Sequence, residues 1–313
     1  MTAPLPTPSR SSAAAPLPFG PPFLIADPAA ARRDLTLLRR ALAAAGVVAE
    51  AAIARPVERA GAIAARALDD GHRLLVAVGS DRLAHAVLKV LVDPGGARWP
   101  DAVLGLAGLG RQDLSATFGL PDDPDKLARH LLGGNVFRAD VGRARWRGPD
   151  GTTRVGVFAN TAELGYPAEV SARAPGGGRV GRLAAALGGL AATRSTPARL
   201  EVDHTAVDLR LAGLIVANGQ FSMGRMKVAP RALPDDGRLS VIAFQGEPLG
   251  IYARSKDLYY GLHVPHPSIR EYQSRRVAVD TAEPASLVLD GWRAAGGAPV
   301  SFDVLEQVLR VKV

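Results

Sequence analysis

Leu74-Leu75-Val76-Ala77-Val78 is an unbroken apolar run that stops at Gly79-Ser80-Asp81-Arg82, after which Leu83, Val87, Leu88 and Leu91 recur at helical spacing. A strand with no polar alternation is buried on both faces, which points to a parallel sheet covered by helices. The surrounding chain repeats the pattern. Phe23-Leu24-Ile25-Ala26 ends at Asp27-Pro28, which predicts an N-cap and a first helical residue. Leu35, Leu38 and Leu42 then mark a helix closed by Gly46, and residues 47–54 read as a weak strand. Pro56 opens a second helix through Ala60, Ile63, Ala64 and Leu68 that ends at Gly71. Val103-Leu104-Gly105-Leu106 is a second buried strand, followed by a loop over residues 107–110. Strand–helix alternation of this kind predicts a parallel α/β domain.

Past residue 139 the texture changes. Strands are predicted over residues 154–162, 198–202, 207–217, 238–244, 275–280, 286–289 and 300–304, and helices only over 181–192 and 248–258. Gly148-Pro149-Asp150-Gly151 is a clear turn near the change. The expected fold class is α/β plus β. A disordered Pro-rich tail spans residues 1–22, an N-terminal parallel α/β domain spans 23–142, and a mainly antiparallel β-sandwich spans 143–313. The tail holds seven prolines and a single charge, Arg10. It has neither the basic start nor the apolar core of a secretory signal.

Composition narrows the function classes. The 313 residues are 47% apolar and 22% charged, enough for a large core and against wholesale disorder. With no cysteine, disulfides, thiol nucleophiles and Cys-ligated zinc are excluded. No apolar run is long enough for a membrane-spanning helix. Together these predict a cytoplasmic protein. His72, His85, His130, His204, His263 and His266 lie far apart in sequence, and Pro265 breaks helical ligand spacing in the nearest pair. Lys and Arg total 38 against 30 Asp and Glu, a net charge of +8 that favours anionic partners. Arg143, Arg145 and Arg147 alternate along a predicted strand, where they share one face suited to peripheral contact with an anionic membrane. Nucleic acid is not an expected partner, since aromatic residues are only 5% of the chain and do not interleave with the arginines.

In a parallel α/β sheet, ligands bind beyond the carboxyl ends of the strands. Two loops leave strands there, Gly79-Ser80-Asp81-Arg82 and Gly108-Leu109-Gly110-Arg111-Gln112-Asp113. Each supplies glycine for close backbone approach and leads into a helix N-terminus, a combination that suits phosphate. Each also carries one Asp, able to act as a base or to hold a divalent cation.

The order of the motifs adds more. Val78-Gly79-Ser80-Asp81 resembles the G-G-D-G-T nucleotide loop of the diacylglycerol-kinase catalytic family, which includes bacterial lipid kinases and sphingosine and ceramide kinases. The stretch LGLAGLGRQDLSATFGLP over residues 104–121 is similar to that family's second loop and following helix. Asn160 to Tyr166 resembles its N-x-x-x-x-G-x-D/N stretch. Val216-Ala217-Asn218-Gly219 with Met226-Lys227-Val228-Ala229-Pro230 resembles its N-G and A-P block. Asp235-Asp236-Gly237 resembles a turn that holds Mg²⁺ in bacterial members, and Asp290-Gly291 resembles the start of D-G-E. NAD kinases share the first loop, but the 218–230 block fits the lipid kinases better. The resemblance spans residues 22–313 in order.

It implies a nucleotide-binding N-terminal domain, a C-terminal β-sandwich, ATP and Mg²⁺ as cofactors, and phosphoryl transfer to a lipid hydroxyl of diacylglycerol or sphingoid type. On this basis Gly79, Ser80, Asp81, Arg82, Gly110, Arg111 and Asp113 would hold the nucleotide, and Asp236 the metal. The chain departs from the family where its chemistry is densest. Ser80, Arg82 and Leu83 replace two glycines and the threonine of the first loop, the second loop is one residue short, and Trp292 stands in place of the D-G-E glutamate. That glutamate is the general base in bacterial members, and tryptophan accepts no proton. Two readings follow. In one the chain is a divergent kinase with Asp81 or Asp290 as base and Arg82 and Arg111 on phosphate. In the other it is a catalytically impaired pseudokinase that binds a nucleotide, a lipid or a partner.

Overall fold

The computed structural model describes residues 17–110, 112–173 and 179–313. Most of the tail expected over 1–22, and Arg111, lie outside the described residues.

The first half alternates β1 (Phe23–Ala26), α1 (Asp34–Ala44), β2 (Glu50–Ile53), α2 (Ala60–Asp69), β3 (Leu74–Val78) and α3 (Asp81–Leu91). A small hairpin of β4 (Val92–Asp93) and β5 (Gly96–Ala97) precedes β6 (Val103–Ala107), α4 (Asp113–Thr117) and α5 (Pro124–Leu132). Strands pair in parallel in the order β2-β1-β3-β6. All five residues of β3 and of β6 are buried, as their unbroken apolar character requires. Helices α1 and α5 pack together, as do α2 and α3. Gly105 in the middle of β6 is needed for this packing, because a Cβ there would lie 2.9 Å from Val76 and 3.0 Å from Leu131 of α5.

The second half holds β7 (Val136–Arg147), β8 (Thr153–Phe158), β9 (Thr161–Gly165), α6 (Tyr166–Arg173) and α7 (Arg179–Ala192). Then come β10 (Thr196–Val202), β11 (Thr205–Ala217), β12 (Leu239–Gln245), α8 (Pro248–Ala253) and α9 (Ser255–Tyr260). β13 (Ile269–Ser274), β14 (Arg276–Thr281), β15 (Ser286–Leu289) and β16 (Trp292–Lys312) complete it. Pairing among these strands is antiparallel. It runs β16-β15-β9-β11-β10-β14 and returns to β16, enclosing a core that includes Phe158, Leu200, Val216, Val279 and Phe302. A further apolar cluster, including Tyr166, Val170, Ile215, Phe244, Ile251 and Leu258, lies where α6, α8 and α9 cover the outer face of β11 and β12.

β16 connects the halves. It pairs with β15 at Trp292, with β14 at Val300 to Asp303, with β7 along most of its length, and in parallel with β6 at Val311↔Leu104. Among the described residues no helix is long and apolar enough to cross a membrane.

Several expected elements take a different form. Asp27 caps a turn rather than α1, accepting the N–H of Ala30 at 2.8 Å, and the helix begins at Asp34. The strand expected over 154–162 breaks at Ala159-Asn160, whose N–H groups turn to a carboxylate described below. The helix expected over 248–258 divides at Arg254, whose guanidinium takes Gly250 O at 2.8 Å. The arginine stripe exists on β7, but Arg143 and Arg145 both bind Asp303, at 2.7 and 2.6 Å. Despite desolvation, those hydrogen bonds hold the Asp303 carboxyl below its usual range. Asp303 thus offsets part of the positive charge of that face, while Arg147 at the end of β7 is exposed.

A candidate active-site cleft

The two glycine loops meet side by side at the carboxyl end of β3 and β6. Gly79 has φ +135, and a Cβ there would collide with the Asp27 carboxylate. Asp27 fixes the loop by accepting the Ser80 N–H at 2.9 Å. Gln112 braces it from the second loop, donating Nε2–H to Ala77 O and Ser80 O, both at 3.3 Å. The second loop turns through Leu109 (φ +41) and Gly110 (φ +88).

Asp81 joins the loops. Its two oxygens accept the N–H groups of Asp113 and Leu114, both at 2.9 Å, and so cap α4 from another helix. Desolvation, with repulsion from Asp113, pushes the Asp81 carboxyl well above its usual range. Asp113 in turn accepts the N–H of Gly224, at 3.1 Å, and of Arg225.

Asp290 is buried and holds the break between β8 and β9. It accepts N–H groups from Ala159 (2.8 Å), Asn160 (2.9 Å) and Thr161 (3.0 Å), and His85 Nδ1–H at 3.1 Å. Asn160 donates to Phe221 O at 2.7 Å and accepts Thr117 Oγ1–H at 3.0 Å. Gly219 must lack a side chain because a Cβ would overlap the Asn160 amide. The buried Asn218 amide donates to Asp140 O and Ala159 O at 2.8 and 2.9 Å.

Trp292 packs between the halves. Its Nε1–H donates to Arg82 O at 2.7 Å, and the Arg82 guanidinium lies 4.4 Å from its ring centroid. Arg82 also reaches Glu58 at 3.4 Å, while its Nε is buried without a partner.

Beside these groups lies one cleft of about 580 Å³. Ser80, Asp81, Arg82, Gly110, Asp113 and Asp290 form its polar end. Tyr166, Val170, Ala186, Met223, Ile251 and Leu258 form an apolar end. Sequence reasoning did not single out Glu163, which lies between them. It is 1% exposed, and burial pushes its carboxyl from 4.5 to about 7, against the influence of the nearby Ser171 and Ser222 hydroxyls, which favour the charged form. An acid inside a buried strand was the available signal.

Asp236 is not part of the cleft. Its Oδ1 closes its own turn on the Arg238 N–H at 2.9 Å, and Gly237 N–H goes to the buried Asp140 at 2.7 Å. Among the described residues no group of three acids or histidines assembles to hold a metal there or elsewhere. The residue expected to hold Mg²⁺ thus lies outside the cleft, with Oδ1 engaged in closing its own turn. Lys227 of the A-P block lies with its stem 3.2 Å from where a Cβ on Gly261 would stand.

Comparison with known proteins agrees with this geometry. The diacylglycerol kinase catalytic domain matches residues 23–144, and the YegS C-terminal NAD kinase beta sandwich-like domain matches 163–313. "Probable lipid kinase YegS" of Salmonella gallinarum is 29% identical over 203 residues, covering 59% of this chain and 62% of that protein. The match thus spans under two thirds of that relative's length. "Probable lipid kinase YegS-like" of Citrobacter koseri is 25% identical over 269 residues, covering 80% of this chain and 82% of the relative. A crystal structure of a Bacillus anthracis diacylglycerol kinase superposes with a TM-score of 0.70 at 17% identity, covering 93% of this chain and 96% of that one, which is a likeness of fold. The two domain matches, in the order and at the positions where the motifs fall, make the chain a member of the diacylglycerol kinase catalytic-domain family.

Proposed function

We propose that the cleft transfers a phosphoryl group from ATP to the hydroxyl of a lipid of diacylglycerol or sphingoid type. The observation that carries this reading is the continuity of the cleft, from the paired glycine loops at one end to an apolar chamber at the other. A polar phosphate donor and a lipid acceptor need such opposed ends within one cavity.

The residues at the polar end suit a nucleotide. Arg82 has a buried Nε with no partner, and the first turn of α3 opens onto the cleft. They do not suit a metal held by the protein alone. Both oxygens of Asp81 and of Asp290 already accept hydrogen bonds, and no three-ligand group exists among the described residues. No step is therefore routed through a protein-held Mg²⁺. When bound, ATP supplies the phosphoryl group. The chain's part is to orient and to exclude water. Asp81 and Asp290 act as positioning residues, the first locking the two loops together and the second fixing the backbone at residues 159–161. Trp292 holds Arg82 against the cleft wall. The apolar end strips water from the acceptor's tails.

The test is titration of purified protein with MgATP by calorimetry, followed by labelled phosphate transfer to diacylglycerol or sphingosine in mixed micelles. Saturable binding, weakened in Arg82→Ala, and a phosphorylated lipid are expected. Neither binding nor transfer at millimolar MgATP would sink the kinase reading.

A further inference from the structure

We propose that Glu163 is the group that takes the proton from the acceptor hydroxyl. The inference rests on the kinase reading and adds its missing base. Four carboxylates line the cleft. Asp81 spends both oxygens on the N–H groups of Asp113 and Leu114, Asp113 on those of Gly224 and Arg225, and Asp290 on three N–H groups and His85. Glu163 differs. Its Oε1 accepts the hydroxyls of Ser222 and of Thr161, the latter at 3.3 Å, while its Oε2 is buried with no partner. A buried acceptor left open is unfavourable, so a ligand that donates a hydrogen bond there is favoured.

Its place along the strand suits the role. Glu163 stands two residues, roughly 7 Å, beyond Thr161, whose N–H is held by Asp290, and just before Gly165 turns the chain into Tyr166 of the apolar wall. A hydroxyl at the head of two apolar tails would lie there, with the tails toward Tyr166, Val170 and Leu258. The groups bearing on Glu163 are Thr161 on its own strand, Ser171 from α6, Ser222 from the loop after β11, and the Asp113 carboxylate from α4. Burial first, and Asp113 with it, raises the carboxyl to about 7, which matches proton uptake near neutrality.

The acceptor O–H bond breaks and its proton goes to Oε2. The oxygen's electron pair forms the new bond to the γ-phosphorus of ATP. The bridging P–O bond breaks, and its pair stays on ADP. Glu163 then releases the proton to water as products leave.

The experiment compares wild type with Glu163→Gln and Glu163→Asp, using MgATP and diacylglycerol in mixed micelles. In wild type, kcat should fall as pH drops below about 7. Glu163→Gln should bind MgATP as wild type does, lose roughly 10²–10⁴-fold in kcat and lose that acid limb. Glu163→Asp should keep the limb at a reduced rate. Infrared difference spectra give a second readout. A protonated carboxyl band should titrate in wild type, shift when diacylglycerol is added without nucleotide, and vanish in Glu163→Gln. Wild-type turnover with no acid limb, a Gln variant within a few-fold of wild type, or a band unmoved by lipid would overturn the assignment alone. Wild type that neither binds MgATP nor phosphorylates lipid overturns the kinase reading, and this assignment with it.

Discussion

Asp236-Gly237 and Asp290-Gly291 place the same dipeptide in tight turns, with glycine at φ +68 and φ +81. At the first, the Asp carboxylate folds back onto the Arg238 N–H, two residues along. At the second, Asp290 itself adopts φ +45, and its carboxylate leaves the turn to bind three N–H groups of another strand break and a histidine from the other half of the molecule. The dipeptide determines that a turn forms. What the carboxylate does is determined by the donors that distant chain brings to it: one N–H within its own loop in the first case, a buried ring of four donors in the second.

The strongest way to break this contrast is Asp290→Ala. It strands three buried N–H groups and His85, and we expect a loss of about 3–5 kcal/mol in urea unfolding, together with loss of MgATP-dependent lipid phosphorylation. A cost similar to that of Asp236→Ala would show that the ring of donors contributes little. Glu163→Gln sharpens the contrast from the opposite side, because Glu163 is buried with an oxygen left open. Its folded value of about 7 lies above the ordinary 4.5, so wild-type stability is complete below about 4.5 and is lost as pH rises through about 7. Thermal unfolding should find the variant equal to wild type in acid. Above neutrality it should be more stable, by an amount on the order of 3 kcal/mol, since one pKa unit corresponds to about 1.4 kcal/mol. Identical curves at all pH values would remove the claim that Glu163 is held out of water.

Smaller effects follow at the glycines. Gly291→Ala introduces a Cβ at φ +81 and only 3.2 Å from Arg82 Cγ, and should cost about 1–2 kcal/mol and weaken MgATP binding by displacing Arg82. Gly237→Ala should show the strain without the loss of binding. The smallest effect belongs to Asp236→Ala, about 0.5 kcal/mol, with a melting point whose response to added Mg²⁺ matches that of wild type.

The parallel half was legible because its signal is local. Leu74–Val78 and Val103–Ala107 announce burial on both faces without reference to any partner, and the glycines after them mark the loops. Asp81, Gly110, Asp113 and Asp290 were readable by their place in an ordered series of motifs, and they do line one cleft. Their individual tasks were not readable. That Asp81 caps α4, or that Asp290 receives the N–H groups of residues 159–161, depends on contacts between segments far apart in sequence. Glu163 escaped notice for a related reason. Its strand neighbours Ala162 and Leu164 are core residues, and nothing local tells that its side emerges in a cavity rather than in the packed interior. Asp123-Pro124 gave a clear helix start that went unread, with Asp123 accepting the Lys126 N–H at 2.8 Å.

The long strand β16 bears on how such a chain comes into being. The parallel sheet of the first half ends at β6, and the strand beside β6 is reached only at Val311. A ribosome that has delivered residues 23–144 has therefore made four parallel strands with one flank open and apolar. That flank stays open until the whole antiparallel half has been synthesised and β16 returns to cover it. The domain that comes first in the chain is completed late, and cut away from its partner it would present β6 as a sticky edge for aggregation.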